Sequence, residues 1–206
     1  MCSAPAEDAS APRSLALPPR FAEKLNVPLD QPFHVVKEGP PTTEELTSEN
    51  LIKIICERSS DEETNWLAWK CLGYRCSAAT GEWTADEVFP GWKSKYPQPP
   101  DLIGVTRVYS KEVDGPTMKA NQALVRAIPL EHKQSLKTHM TPLGFTGFKL
   151  DELTPNRTRR AQVLNFILYY REELFGVSLE ELQRRKEARA AAAAQEHIAH
   201  QNLMNE

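Results

Sequence analysis

The sequence predicts a mainly α-helical protein, with an α+β arrangement as the alternative. Helix-start signals recur along the chain, the apolar residues behind them have helical spacing, and strand-like segments are short and confined to the middle. The predicted architecture is one compact helical domain with a short irregular or β-hairpin middle section, a disordered proline-rich N-terminus and a projecting C-terminal helix. The start signals are Thr47 or Ser48, Ser60 with Glu63, Thr154 with Pro155, and Ser178 with Glu181.

Composition and proline placement divide the chain into three parts. The 206 residues are 40% hydrophobic and 26% charged, which suits a soluble chain with one core domain. Half of the 16 prolines precede Thr42, so residues 1–42 are predicted to be a disordered lead. The apolar stretch from Leu25 to Val36 could still lie extended along the domain. Residues 43–176 form the predicted compact domain, and residues 177–206 form a charged, alanine-rich helix.

The first half of the compact domain begins with a predicted helical hairpin. Its first helix runs to Arg58, and its second starts at the capping box of Ser60 and Glu63 and ends at Gly73. Residues 74–84 favour two short extended pieces around a turn. Residues 102–109 favour a further strand.

In the second half, residues 118–128 fit a helix or a strand, and Pro129 can open a helix to about His139. The helix that starts at Thr154 is predicted to form the centre of the core. Ser178 and Glu181 start the last helix, which has almost no apolar face beyond Leu182 and is expected to project or fray.

One stretch breaks a local rule in a way that suggests a binding site. Three arginines occupy the first turns of the helix that follows Thr154, where the helix dipole disfavours positive charge. With the backbone N–H groups there, they could bind phosphate or an acidic partner. The alternative is internal pairing with Asp151, Glu152 or the acidic hairpin. The candidate anion- or partner-binding residues are Lys149, Asn156, Arg157, Arg159 and Arg160.

Metal, cofactor and catalytic signatures are weak. Cys56, Cys71 and Cys76 are weak metal candidates without a complete ligand set, and free thiols are the simpler interpretation. The chain has no phosphate-binding loop, dinucleotide fingerprint or nucleophile elbow, so no cofactor and no catalytic residue is predicted. No apolar run approaches the roughly 20 residues of a membrane span. The net charge of −3 argues against bulk electrostatic binding to nucleic acid.

Several long motifs carry a family resemblance. They run in order from Asn65-Trp-Leu-Ala-Trp-Lys-Cys-Leu-Gly-Tyr-Arg75 and Thr80-Gly-Glu-Trp83 to Leu143-Gly-Phe-Thr-Gly-Phe-Lys149 and Glu152-Leu-Thr-Pro-Asn-Arg-Thr-Arg-Arg-Ala161. Over about residues 47–174 the chain resembles a small domain-of-unknown-function family of cyanobacteria and plastids. The resemblance implies a photosynthetic organism and a plastid stroma, although no clear transit peptide is present; the cytoplasm is the alternative. It assigns no functional residues.

The sequence therefore predicts a non-catalytic plastid protein that binds a protein partner, in assembly or maintenance of the photosynthetic apparatus. The basic helix start is its predicted contact. Two alternatives use the same arginines. One is nucleic-acid binding, which would weaken steeply with salt. The other is an enzyme acting on a phosphorylated or carboxylated small molecule, with His132, His139, Asp151 or Glu152 as the nearby base.

Overall fold

A computed structural model describes residues 24–204, apart from the side chains of residues 192, 193 and 196–204. The described chain contains seven α-helices and one two-stranded sheet, which confirms the mainly α prediction. The helices are α1 (Ser48–Ile55), α2 (Asp61–Leu72), α3 (Pro90–Lys93), α4 (Lys111–Ala127), α5 (Ser135–Met140), α6 (Pro155–Tyr169) and α7 (Leu179–Met204). The strands are β1 (Arg75–Cys76) and β2 (Trp83–Thr84), paired antiparallel.

Helix α6 is the centre of the fold, as its apolar sequence predicted. It packs against α1, α2, α4 and α5, and its side chains from Val163 to Leu168 are buried. A π-helical segment, Tyr170–Leu174, continues it directly. Two short 3₁₀ segments, Leu130–His132 and Leu150–Glu152, complete the connections.

The predicted capping chemistry sets the bounds of α2. The Ser60 hydroxyl accepts from the Glu63 N–H at 3.0 Å, and the Glu63 carboxylate accepts from the Ser60 N–H at 2.7 Å. Gly73 ends the helix with φ of +96°, and a Cβ there would overlap the carbonyl oxygen of Glu87. Glycine is therefore required both for the left-handed turn and for this close approach.

The structure changes two element predictions and selects between the alternatives of a third. Residues 102–109 form no strand, because the Asp101 carboxylate accepts from the N–H groups of Ile103, Gly104 and Val105 and folds them into a turn. Residues 118–127 belong to helix α4, which is the helical alternative; the helix starts earlier, at Lys111, behind a Ser110 cap, and Ile128 follows its end. The helix predicted from Pro129 is divided into Leu130–His132 and α5.

The lead predicted as disordered needs correction over its second half; its residues 1–23 lie outside the described chain. Residues 24–42 contain no helix or strand, but Phe33 is buried in the core. The Lys53 ammonium donates to the Pro32 carbonyl at 3.0 Å, and the Lys70 ammonium donates to the Val36 carbonyl at 2.7 Å. Because buried lysines anchor its backbone, the segment lies along the domain without regular secondary structure. Among the described helices, none combines the length and apolar character needed to cross a membrane.

Candidate functional site

The three arginines predicted as a binding site are buried at the start of α6. Arg157, Arg159 and Arg160 are 8%, 7% and 2% exposed. The Thr154 hydroxyl caps the helix by accepting from the Arg157 N–H at 3.2 Å. Burial of three cations at a helix N-terminus requires compensating charge.

For Arg160 the compensating charge is the carboxylate of Asp61, the first residue of α2. Its Nη2 donates to Asp61 Oδ1 at 2.6 Å, and its other N–H groups donate to the Ile54 and Ser59 carbonyls and to the hydroxyls of Ser59 and Thr64. Asn156 donates to the same Asp61 oxygen at 2.9 Å. Burial alone raises the pKa of Asp61, but the hydrogen bond from Asn156 and the guanidinium groups of Arg160 and Arg107 outweigh it and hold the pKa below its ordinary value.

Arg159 and Arg157 also have carboxylate partners. Arg159 makes a two-point contact with Asp114 at 2.7 and 2.6 Å. Arg157 Nε lies 2.5 Å from Glu57 Oε1. Glu57 follows α1 with φ of +55°, a left-handed conformation that usually selects glycine. The sequence therefore places a carboxylate at a strained position, where it meets an arginine 100 residues later.

This geometry matches the alternative of internal pairing, with the acidic hairpin supplying Asp61. Asn156 is buried within the same network, and only Lys149 is exposed. External anion or partner binding by these residues stays a prediction. The three arginines already donate to carboxylates, which use the same N–H groups that a phosphate would need. The same ion pairs leave these arginines less able to contact the phosphates of a nucleic acid.

The candidate bases do not all lie beside the arginines. His132 and His139 both contact the carboxylate of Glu172, on the π-helical segment. That segment begins beyond Tyr169, about 18 Å along the helix axis from Arg157. Near the arginines themselves, Glu152 contributes its carbonyl to Arg157. Burial raises the pKa of Glu172, but hydrogen bonds from His132, His139 and Ser135 hold it below its ordinary value.

The cysteines named as weak metal candidates are buried free thiols. Burial raises the pKa of Cys56 to about 12 and raises that of Cys71 further, so both stay protonated at neutral pH. Among the side chains that the structure describes, no group of three His, Cys, Asp or Glu is arranged to hold a metal ion.

A cleft that the sequence did not predict lies between the compact domain and α7. Its volume is about 820 Å³. The floor is apolar and mostly aromatic, and it comes from the ends of α2, α4 and α6, from α3 and its preceding residue, and from the π-helical segment. The floor side chains are Leu72, Phe89, Trp92, Ala123, Ala127, Phe166, Tyr169, Tyr170 and Leu174.

Basic side chains surround this floor. Lys95 and Arg126 lie on the domain side, while Arg185, Lys186 and Arg189 come from α7; we call these five residues the basic rim. None of the ion pairs among the described side chains involves Lys95, Arg126, Lys186 or Arg189. Lys186 instead lies 4.9 Å from the centre of the Phe89 ring. The two acids of the lining are Glu87, which pairs with Arg75 at 2.6 Å, and Glu173.

Sequence reasoning missed the cleft because its residues come from five separate segments. One signal was available: cations follow Leu182 at helical spacing, where a packed helix would carry apolar residues. That pattern indicated a projecting helix. In the structure the same cations face an aromatic floor.

Comparison with known proteins identifies the family. The family described as "Domain of unknown function (DUF1823)" matches residues 45–172, and the chain belongs to it. The family region supplies most of the cleft floor, and α7 lies beyond it. A protein solved by solution NMR is similar at 36% identity, over 65% of this chain and 95% of its own, with a TM-score of 0.46. No curated protein matches the chain.

Proposed function

We propose that this protein is a non-catalytic binding protein and that its binding site is the cleft between the family domain and α7. One observation carries the proposal: an apolar floor and a basic rim, four of whose five cations have no carboxylate partner among the described side chains, face the same space of about 820 Å³. Such concave sites, apolar with a few charged groups, are typical of ligand binding. The basic rim thus replaces the arginines of α6 as the proposed contact with negative charge.

The proposed compartment is the plastid stroma, and the proposed role is assembly or maintenance of the photosynthetic apparatus. Both rest on the motif resemblance described above. Subcellular fractionation of the source cells tests the compartment: recovery with stromal markers supports it, and recovery with cytoplasmic markers contradicts it.

Filling the cleft tests the binding function directly. Ala123 lies on the floor and is partly exposed, so Ala123→Trp would occupy the site without replacing a buried side chain. The matched control is Ala79→Trp, at an exposed turn between β1 and β2. Tagged wild-type and variant chains would be purified from the native cells and compared by native mass spectrometry and by identification of co-purified proteins.

The expected result is a bound component that is present on the wild-type chain and on Ala79→Trp but lost from Ala123→Trp. Circular dichroism and urea unfolding would establish that both variants remain folded. An identical set of components on all three folded chains would contradict binding in the cleft.

A further inference from the structure

We infer that the cleft binds a small amphiphilic anion, a molecule with one carboxylate or phosphate head and an apolar body. This inference deepens the proposed function and rests on it, because it specifies what the same site would hold.

The floor requires an apolar partner. Phe89, Trp92 and Tyr170 are only partly covered, although they lie beneath a helix. Apolar surface that stays in contact with water in a concave site favours a ligand that displaces the water.

Helix α7 does not supply that partner itself. The lining side chains that it contributes are Leu179 and Leu182 in its first turn, followed by Arg185, Lys186 and Arg189. The two leucines line the cleft at the start of the helix, and the later turns present cations to the floor. A self-contained helical domain would place apolar residues at these positions. The mismatch indicates a third component between floor and helix, apolar towards the floor and anionic towards α7.

The size of the cleft favours a small molecule over a partner helix. Pockets for small ligands have volumes of roughly 300–1,000 Å³, and this cleft falls in that range at about 820 Å³. A helix about 10 Å across would fit only about two turns into that volume. An acidic helix of a partner could bind fully only if α7 moved away.

The charges favour an anionic head at the α7 side. Arg185 already donates to Glu181 and to the Glu173 carbonyl, whereas Lys186 and Arg189 have no carboxylate partner among the described side chains. A head that bridges these two would gain charge-assisted hydrogen bonds. Carboxylate and phosphate both accept such hydrogen bonds, so the cleft favours a negative charge and suits either head group.

Isothermal titration calorimetry of the full chain, with amphiphiles kept monomeric, tests the inference. Dodecanoate and dodecyl phosphate carry the two candidate heads, dodecyltrimethylammonium reverses the charge, and dodecyl maltoside removes it. Decanoate and octanoate shorten the apolar body, and inorganic phosphate lacks one. We expect one anionic amphiphile per chain, with a dissociation constant about fourfold lower for each added methylene. The cationic amphiphile and inorganic phosphate should not bind. A stronger response to dodecyl phosphate than to dodecanoate, or the reverse, would identify the head.

Charge variants locate the head. The triple variant Arg185→Gln, Lys186→Gln, Arg189→Gln should bind dodecanoate about tenfold more weakly. The control is Lys111→Gln, Lys119→Gln, Lys137→Gln, which removes the same charge from exposed positions outside the cleft and should bind as the wild type does.

The possible failures are distinguishable. If Ala123→Trp strips a native component but no anionic amphiphile binds, the ligand class is wrong and the binding function stands. Binding that is equal for all head charges, or independent of chain length, also overturns the ligand class. Tight, selective binding that Ala123→Trp leaves unchanged would overturn the cleft as the site of both proposals.

Discussion

Two basic regions of this molecule carry the same sign of charge in opposite surroundings. At the start of α6, three arginines are at most 8% exposed, and each has a carboxylate partner. Around the cleft, the five cations of the basic rim are largely exposed, and four of them have no such partner among the described side chains. The first region joins distant segments of the chain. The second leaves its charge available to another molecule.

The difference shows that an unusual local charge pattern has two physical explanations. Positive charge at a helix start is unfavourable in isolation, so something must offset it. At α6 the protein itself does so, through Asp61, Asp114 and Glu57. At the cleft, four of the five cations have no such offset among the described side chains, which supports our proposal that binding occurs there. Four predictions, from the largest expected effect to the smallest, test this division.

Removal of Arg160 should have the largest effect on stability. Arg160→Met leaves Asp61 buried without its main countercharge, and breaking such a pair typically costs about 3–5 kcal/mol. Arg126→Met at the basic rim is the matched control and should change the free energy of unfolding by no more than about 0.5 kcal/mol. Urea unfolding followed by circular dichroism measures both.

If Arg160→Met does not fold, the double variant Arg160→Met, Asp61→Asn should restore folding, since it removes the uncompensated charge as well. Equal stability of Arg160→Met and Arg126→Met would contradict a structural role for the arginine cluster.

Glu57 tests whether the ion pair outweighs backbone strain. Glu57→Gly relieves a left-handed conformation, worth about 1–2 kcal/mol, but removes the partner of Arg157, which should cost about 3–5 kcal/mol. The expected net loss is about 2 kcal/mol in the free energy of unfolding. Gly81 provides a reference, because Gly81→Ala at an exposed left-handed turn reports the backbone term alone. A Glu57→Gly protein more stable than the wild type would show that Arg157 does not need this carboxylate.

Local signals in the sequence predicted the helix starts well, because a cap involves residues only three positions apart. Ser60 with Glu63 and the Thr154 cap lie where their spacing placed them. Helix α4 was harder to predict, since Gly115 and Pro116 fall within its first two turns and normally mark a break. The Asp101 turn was missed because its side chain replaces strand partners for three backbone N–H groups.

The candidate sites could not be ranked from the sequence for a different reason. Arg159 and Asp114 are 45 residues apart, and Arg160 and Asp61 are 99 apart, so no local pattern shows that they pair. The cations of α7 predict a projecting helix for the same reason: the aromatic floor opposite them comes from segments earlier in the chain. The local sequence thus shows where positive charge is clustered. Only the tertiary contacts distinguish a cation paired with a carboxylate from one without such a partner.

The arginine cluster should lose its contribution to stability at acidic pH and keep it at neutral pH. The pKa of Asp61 lies below its unfolded value of about 3.9. Its contribution to stability is therefore complete above that value and is lost as the pH falls through the folded pKa. Glu172 contributes with the same sign. Urea unfolding between pH 7 and pH 3 should show a fall in the free energy of unfolding that is shallower in Asp61→Asn. If the free energy of unfolding fell equally with pH in the wild type and in Asp61→Asn, the lowered pKa of Asp61 would be contradicted.

The smallest expected effect on stability belongs to the basic rim and completes the contrast. Replacing Arg185, Lys186 and Arg189 with Gln removes three cations, as many as the arginine cluster contributes to α6. Lys186 and Arg189 have no carboxylate partner among the described side chains, and the carboxylate partner of Arg185, Glu181, lies on α7 itself. The change should therefore alter the free energy of unfolding by no more than about 1 kcal/mol. Removal of three like charges from one helix face also reduces their mutual repulsion, which favours a small gain in stability at low salt. Urea unfolding at low and moderate salt measures both effects. A loss comparable to that of Arg160→Met would mean that the rim holds the domain together, and its charge would then no longer be available for a ligand.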